Sequence, residues 1–174
     1  MIISNSSPLI VIGKIEELKL LRVLYKEVKI PKAVYAEVVE KGKEKNEIDA
    51  FLVEEAINER WIKVEDLTSR EIKDAEQLHE KFGLSKGEGE AIILTQRFKQ
   101  STLLLDDSDA RKIAKARGIK LSDTLIVPLE ALVRKEISYS EFKQIFSKII
   151  EFMKPKSGKV FKILEEAEKW RKQN

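Results

Sequence analysis

The run Thr102-Leu103-Leu104-Leu105-Asp106-Asp107 decides how this chain is read. A continuous apolar stretch ended by two carboxylates describes a short strand buried on both faces, since a half-exposed strand would alternate. A strand of that kind needs helices on both sides, and the flanking sequence supplies them. Ile2–Ser4, Val28-Lys29-Ile30, Trp61–Val64 and Ile119–Leu121 read as further strands. The polar turn Asn5-Ser6-Ser7 follows the first, and Pro8 then sits where the first turn of a helix tolerates it. Helical apolar spacing appears at Ile15–Leu24 and at Val34, Tyr35, Val38 and Val39; the charged stretch Glu40–Glu47 interrupts it before a helix around Ile48–Ile57. Thr68 with Glu71 three residues on is a capping-box pattern opening a helix that Gly83 ends. Ser85-Lys86-Gly87 leads into the next helix, and another runs from Asp107 to Arg117. Leu125–Lys135, Tyr139–Met153 and Val160–Trp170 complete the helices. Strands alternating with helices specify an α/β domain with a mainly parallel sheet covered on both faces. The domain is expected over residues 1–153, with residues 154–174 as a helical arm packed on it.

Composition narrows the chemistry. The 174 residues carry 33 Lys+Arg and 30 Asp+Glu, a net charge of +3, with one His and no Cys. Disulfides, thiolate metal sites and cysteine nucleophiles are therefore excluded. His79 alone excludes a zinc site built on imidazoles, and on its charged helix it reads as a surface residue. Mildly basic, densely mixed charge is weak support for a polyanionic partner. It also fits a protein from a hot environment. No apolar run approaches the ~20 residues that span a bilayer, so the chain is expected to be soluble and cytoplasmic, with no membrane partner.

In open parallel sheets, ligands bind beyond the carboxyl ends of the strands. Asn5-Ser6-Ser7, Asp106-Asp107 and Asp123-Thr124 follow strands there, and Glu37 and Glu88 lie on helices that can reach the same edge. There is no Walker loop, and Gly87-Glu88-Gly89-Glu90 is not a dinucleotide fingerprint. Carboxylates without a phosphate loop suit Mg²⁺ or Mn²⁺. Plainer readings stand beside these. Asp107 or Ser108 caps the next helix; Glu88 interacts with the helix dipole; Glu37 is solvated; and the stripe Phe142, Phe146, Ile149, Ile150, Met153 is core or a dimer contact.

Four blocks in order resemble the PIN-domain family, in particular its small prokaryotic branch related to the VapC toxins. They are Ile3-Ser4-Asn5-Ser6-Ser7-Pro8-Leu9-Ile10; Ile30-Pro31 … Val34 … Glu37-Val38; Gly87-Glu88 … Glu90-Ala91-Ile92 … Leu94; and Leu104-Leu105-Asp106-Asp107 … Ala110-Arg111 … Ala114. The resemblance covers about residues 1–135. It implies a three-layer α/β/α sandwich and a Mg²⁺- or Mn²⁺-dependent endoribonuclease centre. Carried over by position, that centre is Asn5, Glu37, Glu88, Asp106 and Asp107, with Asp123 at an outer-ligand position where relatives often have glycine. Ser6 would orient a group of the centre, and Arg111 would contact substrate phosphate or pair with Asp107 or Asp109. RNA, a small antitoxin protein and a second copy of the chain are the implied partners. One departure stands out: the family's first aspartate is Asn5 here, which removes a negative charge and implies weaker cation binding. Three readings follow: a weakened ribonuclease, a PIN domain that binds RNA or a protein without cleaving, and an unrelated doubly wound regulatory domain.

Overall fold

A computed structural model describes residues 1–173. Five parallel strands form one sheet in the order β3-β2-β1-β4-β5: β1 is Ile2–Ser4, β2 Val28–Pro31, β3 Ile62–Glu65, β4 Thr102–Leu104 and β5 Lys120–Ser122. The central strands show why apolar runs are needed. Ile2 and Leu104 enter one core, whereas Ile3, Leu103 and Leu105 enter the other. Successive side chains of a strand point to opposite faces, so both faces must be covered.

On the first face lie α1 (Ser6–Lys14), α2 (Lys19–Tyr25), α5 (Ile48–Asn58), α9 (Val127–Val133), α10 (Tyr139–Met153) and α11 (Ser157–Gln173). The second face is covered by α6 (Ser69–Phe82), α7 (Lys86–Arg97) and α8 (Ser108–Ala116). The result is the three-layer α/β/α sandwich that the strand pattern predicts.

Several local features correct the sequence reading. Ser6 and Ser7 are the first residues of α1 rather than a turn. The break within Glu40–Glu47 falls later than the sequence suggests: α3 (Lys32–Tyr35), a π turn (Ala36–Glu40) and α4 (Lys41–Glu44) run on as one helix, because Lys and Glu sustain helix well when exposed, and only residues 45–47 separate it from α5. Phe142, Phe146 and Ile149 are buried inside the chain, and Phe142 stacks on Phe146 at 5.3 Å, so the stripe of α10 is core. Ile163 and Ala167 of α11 are buried in the same core. His79 is exposed, with Nδ1 2.6 Å from the Leu84 carbonyl. No helix among the described residues is long and apolar enough to cross a membrane.

The strand order positions the site. From β1 the chain builds outward to β2 and β3, then returns to add β4 and β5 on the other side. The crevice of such a sheet opens between the carboxyl ends of the two strands where the direction reverses, here β1 and β4. Asn5 leaves β1 at that point, its N–H donating to the Leu104 carbonyl at 3.2 Å.

Candidate active site

Asn5-Ser6-Ser7 organises the crevice. Asn5 stands at the N-cap of α1 but makes no capping bond, and its Oδ1 is buried without a partner. The Ser6 hydroxyl donates to Glu37 Oε2 at 2.6 Å, and the Ser7 hydroxyl donates to Asp106 Oδ2 at 2.8 Å. Two adjacent serines thus hold carboxylates delivered by elements 31 and 99 residues away. Glu37 arrives on the π turn, a deviation that recurs at functional sites.

Asp106 is fixed from a second side. The Thr124 N–H donates to its Oδ1 at 2.9 Å and the Thr124 hydroxyl to its Oδ2 at 2.7 Å. With Ser7, three donors point at one half-buried carboxylate and fix its orientation. Beside Thr124, Asp123 is buried; its Oδ2 lies 2.7 Å from Lys159 Nζ and 3.5 Å from Arg111, and its Oδ1 has no partner.

The remaining candidates are placed differently. Asp107 is exposed and accepts the Asp109 and Ala110 N–H groups at 2.9 and 2.8 Å, so it caps α8. Glu88 closes a capping box: its Oε2 accepts the Ser85 N–H at 2.9 Å, and Ser85 Oγ accepts the Glu88 N–H at 3.2 Å. Its neighbour Gly87 carries the start of α7 against the centre; a Cβ there would lie 3.1 Å from Glu37 Oε2 and 3.5 Å from Ser6 Oγ. Glu90 is buried and accepts the Ala33 N–H at 3.0 Å, which caps α3. Arg111 pairs with neither Asp107 nor Asp109; it donates to the Leu105 and Ser122 carbonyls, both at 2.7 Å, tying β4 to β5 below the site.

Ser7, Thr124 and Gly87 lie within the stretches that the sequence singles out, but the sequence assigns none of them a role. Their signals were faint: Ser7 and Thr124 each follow a strand at the carboxyl edge, and Gly87 sits in a helix start where glycine is otherwise costly.

The chemistry of this donor set is all oxygen, which suits a hard divalent cation. Among the described residues no three His, Asp or Glu side chains converge as a closed ligand cluster. The fit rests instead on the buried, unpartnered Oδ1 of Asn5, the residue before the two serines that hold Glu37 and Asp106, since a buried polar atom without a partner is costly. Glu37 also lines a groove of about 290 Å³ with Lys14, Lys41 and Lys45.

A family model described as a PIN domain matches residues 1–160. Strand order, crevice and motif order agree with that match, and the chain belongs to the PIN-domain family. No curated protein and no solved structure matches it.

Proposed function

We propose that this PIN domain is a metal-dependent endoribonuclease whose centre comprises Asn5, Glu37 and Asp106, with Ser6, Ser7 and Thr124 as positioning residues. The observation that carries the reading is the pair of serine–carboxylate bonds at the sheet's reversal point, with the adjacent Asn5 Oδ1 left without a partner. Asn5, Glu37 and Asp106 would hold Mg²⁺ or Mn²⁺, with Asp123 Oδ1 in reserve. A bound cation supplies Lewis acidity and an activated water for attack on a phosphodiester. The chain's own part is to fix the carboxylates: the hydroxyls of Ser6, Ser7 and Thr124 occupy one lone pair each and set the direction of the others. Glu88 and Asp107 contribute to the centre through the helix starts they cap.

Asn5 favours a second reading, a PIN domain that binds RNA or a protein without cleaving, because one charge fewer weakens the hold on a cation. Placement in the VapC-like toxin branch, with a small antitoxin and a homodimer, rests on the motif resemblance. A single unit over 1–153 with the arm 154–174 is proposed from the order of elements and the break after Met153, and a cytoplasmic location from the sequence reading alone. The test is cleavage of a panel of structured and single-stranded RNAs with Mg²⁺ or Mn²⁺ against EDTA. EDTA-sensitive cleavage, lost in Asp106→Ala, is the expected result. A wild-type protein that binds but never cuts would establish the second reading.

A further inference from the structure

The segment Phe152–Leu164, sequence FMKPKSGKVFKIL, holds Lys154, Lys156, Lys159 and Lys162 and no acidic residue. Subtracting its four charges from the net +3 leaves the rest of the chain at −1, so the protein's basic character is concentrated here. All four lysines are exposed, and Lys154, Lys156 and Lys162 make no ion pair among the described residues. Two aromatic rings lie on the same segment: Phe161 is 66% exposed, the most of any large apolar residue described, and Phe152 is 47% exposed. Residue 154 ends α10 in the left-handed conformation and α11 begins at Ser157, with no acidic residue in its first turn.

The segment is pinned to the candidate centre. Lys159 Nζ sits 2.7 Å from Asp123 Oδ2, and Asp123 adjoins the Thr124 that holds Asp106. A cation in the first turn of a helix works against the helix dipole, so this placement is offset by the buried carboxylate it meets. Arg111 approaches the same oxygen at 3.5 Å, giving two cations for one acid at the rim of the crevice.

We propose that Phe152–Leu164 is a guide for single-stranded RNA leading to the carboxylate centre. Lys154, Lys156 and Lys162 contact successive phosphates, Phe161 stacks on an unpaired base, and Lys159 anchors the track through Asp123. Lysines interleaved with exposed rings are the combination that holds single strands without reading sequence. A duplex keeps its bases stacked and offers no base to Phe161. The assignment of the partner as RNA rests on the ribonuclease reading; the charge and aromatic pattern stands apart from it.

The probe is a fluorescein-labelled 20-nucleotide oligouridine, titrated by anisotropy in EDTA so that binding is read without cleavage. Each lost phosphate contact lowers the slope of log affinity against log salt by about 0.7 for a single strand. Lys154→Gln/Lys156→Gln/Lys162→Gln should therefore reduce the slope by about 2 and weaken binding roughly tenfold or more at 0.1 M salt. Phe161→Ala should weaken it about tenfold with the slope unchanged. All four positions are exposed, so melting temperatures should stay at the wild-type value; should the triple variant fail to fold, Lys156→Gln alone should lower the slope by about 0.7. Unchanged affinity and slope in the folded variants would overturn the proposal. So would loss of binding to phosphatidylserine vesicles with RNA binding intact, which would make the segment a membrane contact. Failure of the wild type to cleave RNA with Mn²⁺, with these binding results as expected, would refute the catalytic reading and leave the guide standing.

Discussion

Gly87→Ala separates the carboxylate centre from the stability of the fold. Gly87 is the second residue of α7, and the added methyl would lie 3.1 Å from Glu37 Oε2, 3.4 Å from Val34 Cγ2 and 3.5 Å from Ser6 Oγ. None of these atoms is backbone, and the nearest is the tip of a flexible, exposed side chain. Glu37 can therefore yield by a few tenths of an ångström. Alanine in place of glycine within a helix gains up to about 1 kcal/mol, which in a domain of this size shifts the melting temperature by roughly 2–4 °C. Stability should thus stay level or rise. Catalysis should not, because the carboxylate is pushed off the position at which Ser6 holds it at 2.6 Å. A misplacement of about 1 Å can cost a hundredfold in rate, so a shift of this size should lower kcat/KM about tenfold. Calorimetry and initial rates of single-stranded RNA cleavage with Mn²⁺ read the two effects on one preparation. Unaltered kcat/KM in a variant that melts at or above the wild-type temperature would refute the placement of Glu37 in the centre.

Thr124→Val keeps the shape of a fully buried side chain but deletes the hydroxyl on Asp106, and should cost about 2 kcal/mol in urea unfolding while lowering cleavage. Phe142→Ala should remove about 3–5 kcal/mol by opening the core where α10 packs on α9 and α1, read from the same urea midpoints. The pair Arg97–Glu71 sets an acid limit. Hydrogen bonding from the Arg97 guanidinium holds the Glu71 carboxyl down at about 2, against an ordinary 4.5. A depressed folded pKa stabilises fully above the unfolded value and is lost as pH falls through the folded one. The pair should accordingly contribute about 1–2 kcal/mol above pH 4.5, declining toward pH 2. Arg97→Gln should abolish that difference, and identical urea midpoints for both proteins at pH 6 would contradict it.

Much of the fold was legible because single positions carry two-sided information. Ile2-Ile3 and Leu103-Leu104-Leu105 announce strands buried on both faces, and those residues divide between the two cores accordingly. The Thr68–Glu71 box and Gly83 marked α6 at both ends, with Gly83 at a φ of 70°. Val34, Tyr35, Val38 and Val39 revealed a helix there, but its continuation to Glu44 was obscured because Glu40–Glu44 carries no apolar residue to mark a buried face. The site was legible in part. Residue type and strand ends select Asn5, Glu37 and Asp106, but nothing local distinguishes Asp106 from Asp107. That choice is made by Thr124 and Ser7 on one carboxylate and by the α8 N–H groups on the other. Ser85 and Glu88 have the same spacing as Thr68 and Glu71, so the capping role of Glu88 was present in the pattern.

The most direct measurement is Mn²⁺ binding by calorimetry, with RNA cleavage in parallel, for the wild type, Asn5→Asp and Asp106→Ala. Restoring one charge beside a bound cation should tighten Mn²⁺ roughly ten- to a hundredfold and raise cleavage, while Asp106→Ala should lose both. Asn5→Asp that binds Mn²⁺ no better than the wild type and cuts no RNA would contradict the assignment of this crevice as a cation-dependent ribonuclease centre.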